Sequence, residues 1–125
     1  LLTNLSEYPI YLIKNREAVN EVMIGMLTEN YVATSLKINN INLNYWKNDY
    51  ESEVDFILQG EKGSIIPLEV KSSNHVKSRS LNNYIKIYNP KYAIRISSKN
   101  FGFKNNIKSV PLYAVFCLNK DNIDV

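Results

Sequence analysis

A chain of 125 residues with 45% hydrophobic side chains has room for one domain around a single core, and not for a second. Its one cysteine, Cys117, excludes an internal disulfide and a cysteine-based zinc site; within the apolar run 110–118 it is expected to be a buried, inert thiol, and a reducing, cytoplasmic setting fits. No run approaches the roughly 20 apolar residues of a membrane span, no signal-peptide pattern is present, and a net charge of +3 permits a nucleic-acid partner without demanding one.

The chain opens Leu1-Leu2-Thr3-Asn4-Leu5 with no methionine, so a fragment of a longer protein is expected, with residues 1–16 as an entry segment and 17–125 as the single domain. From residue 17 to about 37, Val19, Val22, Met23, Met26, Leu27, Val32, Ala33 and Leu36 recur at three- and four-residue steps, the period of an amphipathic helix. Gly25 is its weak position and suits a close approach. Glu29 has Gly25, Met26, Val32 and Ala33 as its helix-surface neighbours, so its carboxylate projects from the face expected to pack on a sheet. There it is paired, protonated or metal-bound, unless it lies at the stripe's edge and reaches water or a lysine.

Residues 41–46 alternate apolar and polar and predict a first strand. Two more follow, Glu-Val-Asp-Phe-Ile-Leu at 53–58 and Ser-Ile-Ile-Pro-Leu-Glu-Val-Lys at 64–71. Alternation turns Val54, Phe56 and Leu58 to one face and Glu53 and Asp55 to the other; in the second strand it separates Leu68 and Val70 from Glu69 and Lys71. The turn at 59–63 offers Gly60 and Gly63 for positive φ, so the strands fold back antiparallel and Asp55 lands within a residue of Glu69. Two carboxylates and a lysine then share one patch. Like charges opposed on a sheet need a proton or a cation, which a divalent metal would provide; an ordinary hairpin with one wet face explains the same alternation.

A polar, basic loop with His75, Lys77 and Arg79 comes next. Ser80 is placed to cap a short helix over 81–88, which Asn89-Pro90 ends. Residues 91–97 predict a strand, 98–109 a polar loop and 110–118 a final strand with Pro111 near its start. The order is helix, three antiparallel strands, helix, strand, strand. It predicts an α/β fold with a mixed sheet flanked by helices.

A helix carrying Glu29, a hairpin carrying Asp55 and then Glu69-x-Lys71, a helix and a strand resemble the core of the PD-(D/E)xK nuclease superfamily, which has the restriction-endonuclease-like fold. Six blocks across roughly residues 25–118 are closer still to one domain type. They are Gly25-Met26-Leu27-Thr28-Glu29-Asn30-Tyr31-Val32-Ala33, Tyr45-Trp46, Glu53-Val54-Asp55-Phe56, Pro67-Leu68-Glu69-Val70-Lys71, Ser78-Arg79-Ser80-Leu81 and Pro111-Leu112-Tyr113-Ala114. These resemble the uncharacterised domain at the C-terminus of many prokaryotic AAA-type ATPases.

The resemblance implies that Asp55 and Glu69 ligate Mg²⁺ or Mn²⁺ and that Lys71 orients or deprotonates the attacking water and offsets transition-state charge. Glu29 would complete the acidic cluster. Glu53 would be a second ligand, a substitute or merely exposed, and the superfamily's proline before the first acid is absent. His75, Lys77 and Arg79 would contact phosphates of a nucleic-acid partner, or form a solvated basic loop. The implied activity is hydrolysis of nucleic-acid phosphodiesters. The alternatives are a catalytically silent nuclease-like domain, used for binding nucleic acid or protein or for regulating the ATPase, and a plain structural or oligomerisation domain. The sequence has no Gly-rich phosphate loop followed by Lys and Ser or Thr, so the ATPase module is expected upstream and ATP hydrolysis is not expected of these residues.

Overall fold

A computed structural model describes residues 16–50, 52–72 and 79–123, with side chains from residue 20 onward. The expected entry segment lies outside the described residues except for Arg16, which opens helix α1, Arg16–Ile38. Strong helix formers carry α1 until Asn40, whose left-handed φ of 58° stops it, while the Ile41 amide closes back on the Leu36 carbonyl at 3.0 Å. The second half of its apolar stripe is buried the more deeply. Val32 and Leu36 are fully buried, whereas Val22, Ile24 and Met26 are about half exposed or more. At Gly25 an added Cβ would meet Ser72 Oγ at 3.9 Å, an ordinary contact, so the expected close approach is not tight.

Strands β1, Leu43–Lys47, β2, Glu53–Gln59, and β3, Ile65–Val70, form the expected antiparallel meander. Asn48 builds the first turn by accepting the amides of Tyr50 and Ser52 on its Oδ1. In the second turn only Gly63 takes positive φ, 79°; Gly60 is buried and donates to the Ser64 carbonyl instead. Helix α2, Arg79–Tyr88, starts two residues early, so Ser80 sits inside its first turn rather than capping it.

Strand β4, Ala93–Ser97, runs parallel to β3, and β6, Ile107–Pro111, runs parallel to β4. Between them in sequence, and at the edge of the sheet beyond β6, is β5, Gly102–Lys104, a short strand antiparallel to β6 within a segment expected to be loop. Asn105 and Asn106, with consecutive φ values of 53° and 59°, make the tight turn that permits it. The sheet order is β1-β2-β3-β4-β6-β5, a mixed α/β arrangement.

The final strand expected at 110–118 is shorter and earlier. After Pro111 the chain winds into a 3-10 helix, Leu112–Cys117, which turns Ala114 and Val115 inward and Tyr113 and Phe116 outward. Cys117 is therefore exposed, contrary to the buried thiol expected from an extended run. A last short helix, α3, Lys120–Ile123, is tied down where the Tyr92 hydroxyl donates to the Ile123 carbonyl.

Each face of the sheet has its own core. Val32 and Leu36 of α1 pack with Leu58, Leu68, Ile94, Ile96 and Val115 on one side. On the other, Leu81 and Tyr84 of α2 cover Val54, Ala93 and Ile107, and Trp46 stacks edge-on against Tyr84 with centroids 5.2 Å apart. Burying apolar side chains on both faces holds the strand ends, and the charges they carry, in fixed places. Among the described residues no helix is long and apolar enough to cross a membrane.

Candidate functional site

Strand β2 carries a bulge. Asn44 of β1 pairs with Ile57 and Trp46 pairs with Val54, so two steps along β1 span three along β2, and Asp55 and Phe56 share the place opposite Tyr45. Simple alternation had put Val54, Phe56 and Leu58 on one face. The extra residue instead sends Val54 into the α2-side core with Ile57, while Phe56 and Leu58 pack on the α1 side. Asp55 sits at the break. Glu53 is exposed at the start of β2 opposite Lys47.

The β2–β3 register ends with Phe56 opposite Leu68, one residue short of Asp55 and Glu69. The Asp55 Oδ2 accepts the Val70 amide at 2.7 Å. Burial pushes the Asp55 carboxyl up to about 6; the Val70 hydrogen bond works against that, Glu29 and Glu69 add to it, and Lys71 opposes it. Burial is thus the main reason the Asp55 carboxyl holds its proton, with Glu29 and Glu69 adding to it.

Glu69 is in a different situation. With Leu68 and Val70 committed to the α1-side core, its side chain goes to the α2 side and is only 5% exposed. Lys71 Nζ stands 3.2 Å from its Oε1 and Arg95 Nε 3.5 Å from its Oε2. Arg95 arrives there because the parallel β3–β4 register pairs Glu69 with Arg95. Lys71, just past the strand end, is held by its backbone amide on the Ile96 carbonyl at 2.8 Å.

Glu29 looks over Phe56 from α1, beside Met26, Asn30 and Ala33, in a shallow hollow of about 280 Å³. It is exposed as a residue, which agrees with the stripe-edge reading. Partial burial of its carboxyl and the charge of Glu53 still push it up, and Lys71 pulls it down. Four carboxylates, Glu29, Glu53, Asp55 and Glu69, therefore interact electrostatically at one end of β2 and β3 with two cations, Lys71 and Arg95.

These are hard oxygen donors with surplus negative charge, which suits Mg²⁺ or Mn²⁺ in donor type and in charge. Among the described residues no three of the His, Cys, Asp and Glu side chains already stand together as a metal cage. Any ion here would depend on water for most of its coordination.

Of the expected phosphate contacts, His75 and Lys77 lie outside the described residues. Arg79 is described, and it lines a cleft on the α2 side together with Arg95. Sequence reasoning missed Arg95. The signal was its charge in the middle of the apolar strand Ala-Ile-Arg-Ile-Ser, but only the parallel register reveals the partner.

The family described as Domain of unknown function (DUF4143) matches residues 24–115, and the chain belongs to it. It is a domain often found with AAA ATPases, and its description assigns no activity. No curated protein and no solved structure matches the chain.

Proposed function

We propose that this domain is a metal-dependent phosphodiesterase of the PD-(D/E)xK type, with a restriction-endonuclease-like core, acting on nucleic acid and joined in its parent protein to an AAA-type ATPase. The observation that carries the proposal is the Asp55 carboxylate held on the Val70 amide at the end of β3, within electrostatic reach of Glu29 and Glu69, with the Lys71 ammonium 3.2 Å from Glu69. The element order, with an acid-bearing helix ahead of the hairpin, supports the same reading.

Asp55 and Glu69 would hold Mg²⁺ or Mn²⁺, with Glu29 reaching it through water. The bound ion would supply Lewis acidity and an acidified water. The chain's own residues do the rest. The Val70 amide fixes the Asp55 carboxylate in orientation. Glu69 and the amide tie to Ile96 hold Lys71 at the strand end, where its ammonium can orient a water and meet charge growing on a phosphoryl oxygen.

Arg95 favours a second reading. With cations against both of its oxygens, Glu69 is already neutralised without a metal, as in a catalytically silent domain that binds nucleic acid or protein. Incubating labelled single- and double-stranded DNA and RNA with Mn²⁺ separates the two. Cleavage by the wild type that is lost in Asp55→Asn, Glu69→Gln and Lys71→Met supports the enzyme; an inactive wild type on every substrate overturns it and leaves the silent domain.

A further inference from the structure

Glu69 is held by two cations of different standing. Lys71 follows it just past the end of β3, and its charge acts on Asp55 and Glu29 as well. Arg95 comes from another strand. The parallel register pairs it with Glu69, and with Ile94 and Ile96 committed to the α1-side core its side chain goes to the α2 side, where that carboxylate also lies. The Arg95 Nε is shut off from solvent and stands 3.5 Å from the Glu69 Oε2, while the Lys71 Nζ takes the Oε1 at 3.2 Å.

A buried carboxylate needs a counter-charge, and a guanidinium fixed on the next strand provides one. That accounts for Arg95 as part of the fold, but two features go further. With a cation against each oxygen, Glu69 has little charge left to offer, and Lys71 and Arg95 both repel a divalent ion approaching it. The guanidinium also has somewhere to go. Arg95 lines an open cleft of about 830 Å³ between α2 and the β5–β6 hairpin, where Asn82 and Ser109 supply neutral acceptors. Arg79 and Lys99 line the same cleft, so a guanidinium turned into it exchanges an anion for like charges. Leaving Glu69 is sterically open and electrostatically uphill.

We propose that Arg95 is a built-in stand-in for the metal, neutralising Glu69 in the metal-free protein and giving up the Glu69 Oε2 for the cleft when that carboxylate ligates a divalent ion. Displacement of Arg95 would regulate the site proposed above and rests on the reading of Glu69 as a metal ligand. Arg95 thereby keeps a buried carboxylate from standing bare in the empty protein, and lowers the affinity for the ion by the free energy of the pair that must break. Lys71 keeps its place, since its charge serves the whole acidic group.

The test reads binding and not turnover. The electron paramagnetic resonance signal of free Mn²⁺ gives its dissociation constant for wild type, Arg95→Met, Arg95→Lys and Lys99→Met. Arg95→Met should bind Mn²⁺ at least about tenfold more tightly than wild type. Arg95→Lys, which keeps the charge, should fall between the two. Lys99→Met removes the same charge from the exposed loop after β4 and should stay within about twofold of wild type. A second readout needs no variant to fold. The chain has three arginines, at 16, 79 and 95, so the Arg95 Nε–H resonance of the wild type can be followed with the other two as references. It should exchange slowly with water in EDTA, then shift and lose that protection when Mg²⁺ is added.

Equal Mn²⁺ affinity of wild type and Arg95→Met, or an Arg95 Nε–H signal unchanged by saturating Mg²⁺, overturns the proposal and makes Arg95 a structural ion-pair partner alone. The metal reading then survives if Asp55→Asn abolishes the binding. Equal tightening by Lys99→Met and Arg95→Met also overturns the proposal, because net charge alone would explain it. No Mn²⁺ binding by either wild type or Arg95→Met overturns the metal site and the displacement together. Tight binding by Arg95→Met, with no cleavage by any of these proteins, supports the displacement and fails the nuclease reading alone.

Discussion

The two flanks of the sheet carry opposite charge. At the ends of β2 and β3, four carboxylates meet two cations, and Asp55 is left with its carboxyl pushed up to about 6. Around β4, β5 and β6, four cations line a cleft without a described acid among them. A chain selected only to fold would gain by mixing these charges, since like charges repel across short distances. Under the proposed function, the separation would suit a cation on the acidic flank and a polyanion on the basic one. Arg95 is the residue common to both, touching Glu69 and lining the cleft.

The largest effects should come from the acidic flank. Lys71→Met is expected to lower Mn²⁺-dependent cleavage by about 100-fold or more, and to destabilise the fold less than loss of the more deeply buried Arg95, because the Lys71 ammonium is partly in water. If cleavage survives, Lys71 is only an ion-pair partner. Arg95→Met should destabilise the fold by about 3 kcal/mol, because it leaves Glu69 buried beside one cation. A variant as stable as wild type would mean that Glu69 reaches water.

Asp55→Asn sharpens the comparison with a change of opposite sign. Asn keeps an acceptor for the Val70 amide and removes the charge. A carboxyl whose folded value of about 6 exceeds its ordinary 3.8 binds its proton more tightly in the folded state. Folded stability therefore falls as pH rises from about 4 to about 6 and stays lowered above that. Asp55→Asn should unfold at higher denaturant than wild type at pH 7.5, by about 1–2 kcal/mol, with the gain shrinking toward pH 4. A pH-independent difference would contradict the burial assigned to Asp55.

The smallest effects mark where neither flank reaches. Val22→Ala on the open half of α1 is expected to change stability by less than about 0.5 kcal/mol, against about 2–5 kcal/mol for Leu36→Ala in the packed half. A large loss at Val22 would show that the open half is covered in solution.

Local rules made much of the acidic flank legible. Alternation and a Gly-containing turn were enough to pair β2 with β3 and bring Asp55 to the end of β3, because antiparallel neighbours are fixed by short-range geometry. The bulge at Asp55 was not legible, since it depends on how β1 docks against β2. Nor was Arg95, because a parallel register is set by distant packing and leaves no mark in nearby sequence. The basic flank was hidden more deeply. Its hairpin rests on Asn105 and Asn106 in left-handed conformation, which read as loop chemistry and supplied a turn. Beyond Pro111 the apolar residues lacked strict alternation, and the chain coiled into a 3-10 helix and exposed Cys117. The apolar stripe of α1 was visible, but nothing local said that its second half is buried the more deeply.

A cation answering the Asp55 carboxylate is the central requirement of the proposed site. Thermal unfolding of wild type and Asp55→Asn, each with Mn²⁺ and with EDTA at pH 7.5, measures that answer without relying on turnover. Mn²⁺ should raise the wild-type midpoint and leave Asp55→Asn near its metal-free value, since only the charged carboxylate gains from the ion. Equal shifts in both proteins, or none in wild type, would contradict the metal site.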